Sequence, residues 1–439
     1  MRNISRQRRD ELTDALRRGT VPMQSLDLLA VGLDRLGDTL GQELDAIKSG
    51  GARFKAVRGE YGTGKTFFSR WLAERSRQMG FATSEVQISE TETPLHRLET
   101  VYRRLMERLG TPDTPSGALR NILDGWLYTL EEDVLAEGQI APDDTERLLS
   151  RSNELMEQRL AGVSQSAPMF AVALRGYHTA RSKGDSALAE GVAAWLAGQP
   201  NVAGGIKRQV GVKGDIDHFG AMSFLQGLLT VLRDSGHAGL YLVLDEVETI
   251  QRVRGDMRDK SLNALRQLID DIDSGRFPGL YLMITGTGAF FDGPQGAQRL
   301  EPLAQRLHVD FQTDARFDNP RAVQIRLTAF DFERLCEVGR RIRDVYVMHA
   351  LAPDRLAAKV SDTYINELAR AVAGRLGGKV GVAPRIFLKK LVADILDRVD
   401  QFPEFDPHLH YKLTIQENEL TSTERHAASA SNVDEIELP

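Results

Sequence analysis

Gly59-Glu60-Tyr61-Gly62-Thr63-Gly64-Lys65-Thr66 decides the fold. The stretch matches G-x-x-x-x-G-K-[ST] at every fixed position. That pattern answers a physical need. Backbone N–H groups must curl around a polyphosphate, and glycines let the chain make that curl. Residues 52–59 (ARFKAVRG) read as a short strand ending in Gly59. From about Lys65 to Met79 the spacing predicts a helix, whose positive end would point at the phosphates. Lys65 can then reach the β- and γ-phosphates of a nucleotide, and the Thr66 hydroxyl can ligate Mg²⁺. Arg53, Lys55 and Arg58 beside the loop read as surface strand residues.

Downstream, Leu240-Tyr241-Leu242-Val243-Leu244-Asp245-Glu246 is an apolar strand ending in two acids. Adjacent carboxylates after an apolar strand are hard to explain structurally, because an unpaired buried charge is costly. Asp245 at the strand tip suits the Mg²⁺ shell, and Glu246 suits polarising a water for attack on a γ-phosphate. Glu248 is a weaker candidate for that base. A dedicated water activator points to a hydrolytic ATPase rather than a small-molecule kinase, which brings its own acceptor hydroxyl. A further buried strand, Leu280-Tyr281-Leu282-Met283-Ile284-Thr285-Gly286-Thr287, ends in hydroxyls. In additional-strand (ASCE) ATPases a polar residue at this tip orients the attacking water, a role open to Thr285 or Thr287; simple turn chemistry is the alternative. Both apolar runs are short and bounded by glycine, as expected of strands buried on both faces of a parallel sheet.

Three arginines complete the candidate site. Arg299 and Arg306 follow the Thr285 tip, and a helix ending in Arg306 could present an arginine finger to a neighbouring subunit. The alternative is an exposed helical arginine. Gly381-Val382-Ala383-Pro384-Arg385 opens a long helix. Pro near a helix start is good capping chemistry, but Arg385 in the first turn opposes the helix dipole. A cation there points to an anionic partner such as the γ-phosphate.

The chain has 439 residues, room for about three domains. The patterning divides it into an N-terminal helix (1–19), a first part of the core (20–110), a helical insertion (111–218), a second part of the core (219–330), a helical lid (331–402) and a tail (403–439). Residues 83–89 and 322–328 read as further strands, 201–214 as a Gly-rich basic loop with Lys207, Arg208 and Lys213, and the polar, acidic 416–439 as a mobile tail. Lys and Arg total 56 against 62 Asp and Glu, a net charge of -6, which excludes a globally basic nucleic-acid-coating protein. The single cysteine, Cys336, excludes an intrachain disulfide and argues against a cysteine zinc site; it reads as a buried apolar residue. His96, His178, His218, His237 and His308 show no metal spacing. Trp71, Trp126 and Trp195 read as core. The N-terminus (MRNISRQRRDELTDALRRG) has no apolar signal-peptide core, and no run approaches the ~18 apolar residues of a membrane helix. A cytoplasmic protein without membrane contact is expected. The arginines of the first helix read as a solvated face, with a phosphate- or partner-contacting arm as the alternative.

Taken in order, these residues resemble the AAA+ ATPases, particularly the branch similar to origin-recognition initiators. The resemblance covers about residues 20–400. It implies that Val31-Gly32-Leu33 is the adenine-side box, Gly59 to Thr66 Walker A, Asp245 with Glu246 Walker B, Thr285 or Thr287 sensor 1 and Arg385 sensor 2. GVAPR has one residue more between Gly and Pro than the family pattern, and no winged-helix domain follows the lid. The phrases RRGTVPMQSLDLLAVG, RGEYGTGKTFF, GLYLVLDEVETI, GVAPRIFLKKLV and YHTARSKGD…WLAGQP resemble more closely the D-type ATP-binding proteins of bacteriophage-exclusion (BREX) systems. That resemblance implies ATP and Mg²⁺ as cofactors, a role in prokaryotic antiviral defence, and self-association or other defence proteins as partners. Two other functions stay open. One is a nucleotide-gated interaction switch with little turnover. The other is a DNA-loading ATPase, suggested by Lys207, Arg208, Lys213 and the arginine-rich start.

Overall fold

The computed structural model describes residues 4–138, 140–141, 143–377, 381 and 383–429. Val382 of the GVAPR stretch and the last ten residues of the expected tail lie outside them.

The chain opens with helix α1 (Arg6–Arg17), capped by the Ser5 hydroxyl, and α2 (Asp34–Lys48). Strand β1 (Arg53–Arg58), α3 (Lys65–Gln78) and β2 (Ala82–Gln87) follow. Seven helices follow: α4 (Leu98–Arg108), α5 (Leu119–Ala136), α6 (Thr145–Arg159), α7 (Ala161–Ser166), α8 (Pro168–Ser182), α9 (Ser186–Leu196) and α10 (Gly204–Val210). Helix α11 (His218–Asp234) leads into β3 (Leu240–Asp245), α12 (Gly255–Asp273) and β4 (Leu280–Gly286). Short helices α13 (Gly288–Asp292) and α14 (Glu301–Leu307) precede β5 (Gln324–Arg326). The C-terminal part is helical: α15 (Phe332–Val347), α16 (Pro353–Lys359), α17 (Asp362–Arg375) and α18 (Pro384–Lys389). Helix α18 continues through a π-helical stretch, Lys390–Leu396, into α19 (Asp397–Gln401). Helices α20 (Pro407–His410) and α21 (Ser422–Ser429) end the described chain.

The five strands form one sheet of order β2-β3-β4-β1-β5, and every neighbouring pair is parallel. This architecture is compatible with a P-loop NTPase core. Every residue of β3 and β4 is buried, which is why both read as unbroken apolar runs. The pleat divides them between two cores. Leu240, Leu242, Leu244, Leu280, Leu282 and Ile284 face one; Tyr241, Val243, Tyr281 and Met283 face the other, with α2 and α3.

The first core also takes in α4, α11 and the helices of 119–196. The inserted helices are therefore packed on the sheet's own core. Phe224 of α11 anchors them with edge-on contacts to Tyr102, Phe170 and Trp195, at centroid distances of 6.1, 5.3 and 5.5 Å. A third core joins α15, α17 and the α18–α19 helix to Leu12 and Leu16 of α1. Trp71, Trp126, Trp195 and Cys336 are buried, as their patterns suggested.

Three expectations are corrected. Lys55 is buried rather than exposed, because Glu43 takes its ammonium at 2.7 Å and the Pro320 and Ala322 carbonyls accept from it. Within 201–214, residues 204–210 are helical, and Lys207 pairs with Asp215 at 2.6 Å. Within the expected mobile tail, Glu417–Glu419 forms a helical turn and Ser422–Ser429 a helix, both tied to α18 and its π-helical continuation by ion pairs described below. Among the described residues no helix is long and apolar enough to cross a membrane.

Candidate nucleotide site

The glycine loop joins β1 to α3. Gly62 and Gly64 sit at φ 86° and 89°, left-handed positions that cost a side-chain-bearing residue steric strain. Gly59 is constrained differently, since a Cβ there would crowd the Thr63 hydroxyl and force that side chain to shift. Lys65 folds back over the loop. Its ammonium donates to the Gly59 carbonyl at 2.7 Å and the Glu60 carbonyl at 3.4 Å, and lies 5.1 Å from the Tyr61 ring centroid. The Glu60 carboxylate accepts the Gly288 N–H at 3.2 Å, which ties the loop to the start of α13.

Because β4 lies between β1 and β3, Thr285 comes to Asp245. Its hydroxyl donates to Asp245 Oδ1 and accepts the Glu246 N–H at 3.2 Å. Thr66 donates to the other Asp245 oxygen, Oδ2, at 3.3 Å. Asp245 thus bridges the first turn of α3 to the tip of β4. Burial pushes its carboxyl above the ordinary range, opposed by the Thr285 hydrogen bond. The Thr66 hydroxyl and Asp245 carboxylate are hard oxygens of the kind Mg²⁺ takes alongside water and phosphate oxygens, so the donor set fits that ion.

Glu246 stands in the left-handed region, at φ 60°. This turns its side chain toward β2, where Gln87 Nε2 donates to Glu246 Oε2 at 2.8 Å. Glu248 goes the opposite way. Its side chain is 6% exposed, 3.9 Å from Lys65, and neither carboxylate oxygen has a hydrogen-bond partner. Burial pushes its carboxyl up, with Lys65 pulling against the shift.

A cavity of about 350 Å³ opens over the loop, a size suited to a small-molecule ligand. Glu60 to Thr66, Asp245, Glu246 and Glu248 line its polar end. Val31, Leu33, Phe330 and Val338 line an apolar part, with Gly19, Thr20 and Arg385 at the wall. Gly32, at φ 71°, instead borders an adjoining cavity with Arg326 and Arg334.

The remaining sequence-predicted residues fall elsewhere. Thr287 is buried at the start of α13, where its carbonyl accepts from Phe290; it does not reach Asp245, and neither it nor Thr285 lines the cavity. Arg306 is engaged by Asp270 and by the Pro302 carbonyl. Arg299 pairs with Asp259. Arg385 reaches the cavity wall, yet its guanidinium is taken by Glu424 and the Glu419 carbonyl. Gln87 and Glu424 were not found from the sequence. Gln87 ends an ordinary strand pattern, and only its register opposite Asp245 reveals it.

Against known proteins, the family model described as BREX system ATP-binding protein BrxC/D matches residues 4–415. No curated protein and no solved structure matches the chain. The matched span takes in the glycine loop, the β3 and β4 tips and the helices from α15 to α20. A phosphate-shaped loop, a paired hydroxyl and carboxylate, and an adjoining cavity are what an ATP-binding protein requires. The chain belongs to the family of BREX system ATP-binding proteins BrxC/D, and with it to BREX phage defence.

Proposed function

We propose that the protein is an AAA+ ATPase that hydrolyses ATP in BREX defence. One observation carries this: β4 lies between the loop strand and the acidic strand, so Asp245, Thr66 and Thr285 meet at one point. Lys65 leaves the Gly59 and Glu60 carbonyls for the β- and γ-phosphates, and the loop's N–H groups and the α3 N-terminus hold the remaining phosphate charge. Thr66 and Asp245 would hold Mg²⁺, which would supply positive charge beside the phosphates. Glu246 rotates from Gln87 toward the cavity and takes a proton from the attacking water. Thr285 orients that water, and Arg385 contacts the γ-phosphate. Residues 331–402 act as a helical lid, and Arg306, released from Asp270, completes a neighbour's site on self-association.

Glu246→Gln is expected to leave ATP bound and to lower turnover at least about a hundredfold. Turnover undiminished in that variant, measured by phosphate release at saturating ATP, overturns the assignment.

A second reading is favoured by Glu246 and Arg385 both being held by other side chains. ATP binding would then set a conformation with little turnover, and the inserted helices would be the partner surface. Phosphate release that rises steeply with protein concentration supports the assembling enzyme. Negligible turnover at every concentration with tight ATP binding supports the switch. The pairing of Lys207 with Asp215 takes one charge from a DNA-loading role.

A further inference from the structure

Arg385 faces the nucleotide cavity from the first turn of α18, and an internal carboxylate occupies it. Arg385 Nε donates to Glu424 Oε1 at 2.9 Å, while Nη2 donates to Glu424 Oε2 and to the Glu419 carbonyl. The Glu424 side chain is only 5% exposed. The same carboxylate accepts the Thr421 N–H at 2.7 Å, and the Thr421 hydroxyl accepts the Glu424 N–H at 3.3 Å. This reciprocal pair starts α21. Just before it, Glu419 accepts from Lys389 at 3.2 Å and from Lys390 at 3.0 Å, and closes its own turn through the Gln416 N–H. Two acidic residues of one segment thus meet three cations of another, Arg385, Lys389 and Lys390, with Leu420 packed on the C-terminal core.

A carboxylate forked on a guanidinium imitates a phosphate in charge and in geometry. Arg385 cannot give the same N–H groups to Glu424 and to a γ-phosphate. We infer that residues 417–429 are an intramolecular acidic ligand of Arg385, and that docking of this segment and capture of the γ-phosphate exclude one another. The inference rests on the proposed role of Arg385. The segment lies just past residue 415, where the family match ends. In this state the protein holds its γ-phosphate contact closed, and ATP must displace the segment. The apparent affinity for ATP is reduced by the fraction of molecules with the segment released.

The test uses the full chain, with ATPγS and ADP as probes. Glu424→Gln keeps the side chain's size and removes its charge. It is expected to bind ATPγS about fivefold more tightly, as for a segment released in roughly one molecule in five, and to leave ADP affinity unchanged. In the wild type, amides of 417–429 should exchange hydrogen faster once ATPγS is bound, and no faster with ADP. If Glu424→Gln melts α21, that is release by another route and the affinity result is the same. ATPγS binding without faster exchange, or a Glu424→Gln variant with wild-type ATPγS affinity, overturns the inference. Arg385→Ala in the Glu424→Gln background separates the two ideas. If it leaves the ATPγS-to-ADP preference unaltered, the γ-phosphate role of Arg385 is wrong. If the preference falls but wild-type exchange ignores ATPγS, only the competing segment is wrong.

Discussion

Glu246 and Glu248 are two residues apart and live in opposite surroundings. The left-handed backbone at Glu246 sends one carboxylate out to Gln87 and the other into the cavity beside Lys65. The acidic pair Asp245-Glu246 was legible because two charges closing an apolar strand need a reason. The burial of Glu248 was not legible, because it depends on how the turn 247–252 packs beside Lys65 and the glycine loop. A buried carboxyl with a raised pKa binds its proton more tightly folded than unfolded, so its ionisation costs stability as pH rises above its ordinary value of 4.5. The neutral Glu248→Gln variant escapes that cost. Its melting temperature without nucleotide should match the wild type near pH 4.5, exceed it as pH rises, and hold a constant advantage once the folded carboxyl has ionised. Equal melting curves at pH 8 would show that Lys65 compensates the buried charge in full.

At the scale of elements, strands and long helices emerged from pattern while short helices did not. Strands β3 and β4 are buried on both faces, and no other chain segment needs so dense an apolar run. Helices α10 and α21, of 7 and 8 residues, are too short to hold by propensity and depend on what they dock against. The reverse dependence appears on α11. A Cβ at Gly227 would come 2.5 Å from the Phe170 ring, so glycine lets α8 approach α11. Gly227→Leu should destabilise the protein by about 1–3 kcal/mol through overpacking. Its urea midpoint should fall, while ATP affinity below the transition stays at the wild-type value, since neither helix lines the nucleotide cavity.

For the whole molecule, the first helix and the last core helix hold each other. Arg17 donates to Asp397 through Nε at 2.6 Å and Nη2 at 2.7 Å, and Tyr346 donates to the same carboxylate at 2.7 Å. Arg9 donates to the His349 carbonyl at 2.6 Å and lies over the Tyr346 ring. Part of the arginine-rich start is therefore a clamp on the C-terminal helices, and Leu16 and Gly19 carry it to the cavity wall. Asp397→Asn weakens these charge-assisted bonds and should cost about 1–3 kcal/mol. The same substitution should weaken ATP binding, because the wall would loosen with the clamp; equilibrium unfolding and nucleotide titration read the two effects separately.

By itself the sequence determined the parts whose chemistry is local. A glycine loop ending in Lys65-Thr66 matches the phosphate-loop pattern at every fixed position, and the short, Gly-bounded apolar runs 240–245 and 280–286 read as buried strands. Which residues the sheet brings together was decided by tertiary structure. Thr285 rather than Thr287 meets Asp245 because β4 enters between β1 and β3, and Gln87 meets Glu246 because β2 pairs in that register. Arg385 was legible as a cation seeking an anion. That the anion held in this state is Glu424, 39 residues further on, follows from the docking of a segment too polar and too short to announce a fold. Long-range pairing depends on which distant surfaces meet, and local periodicity holds no record of that.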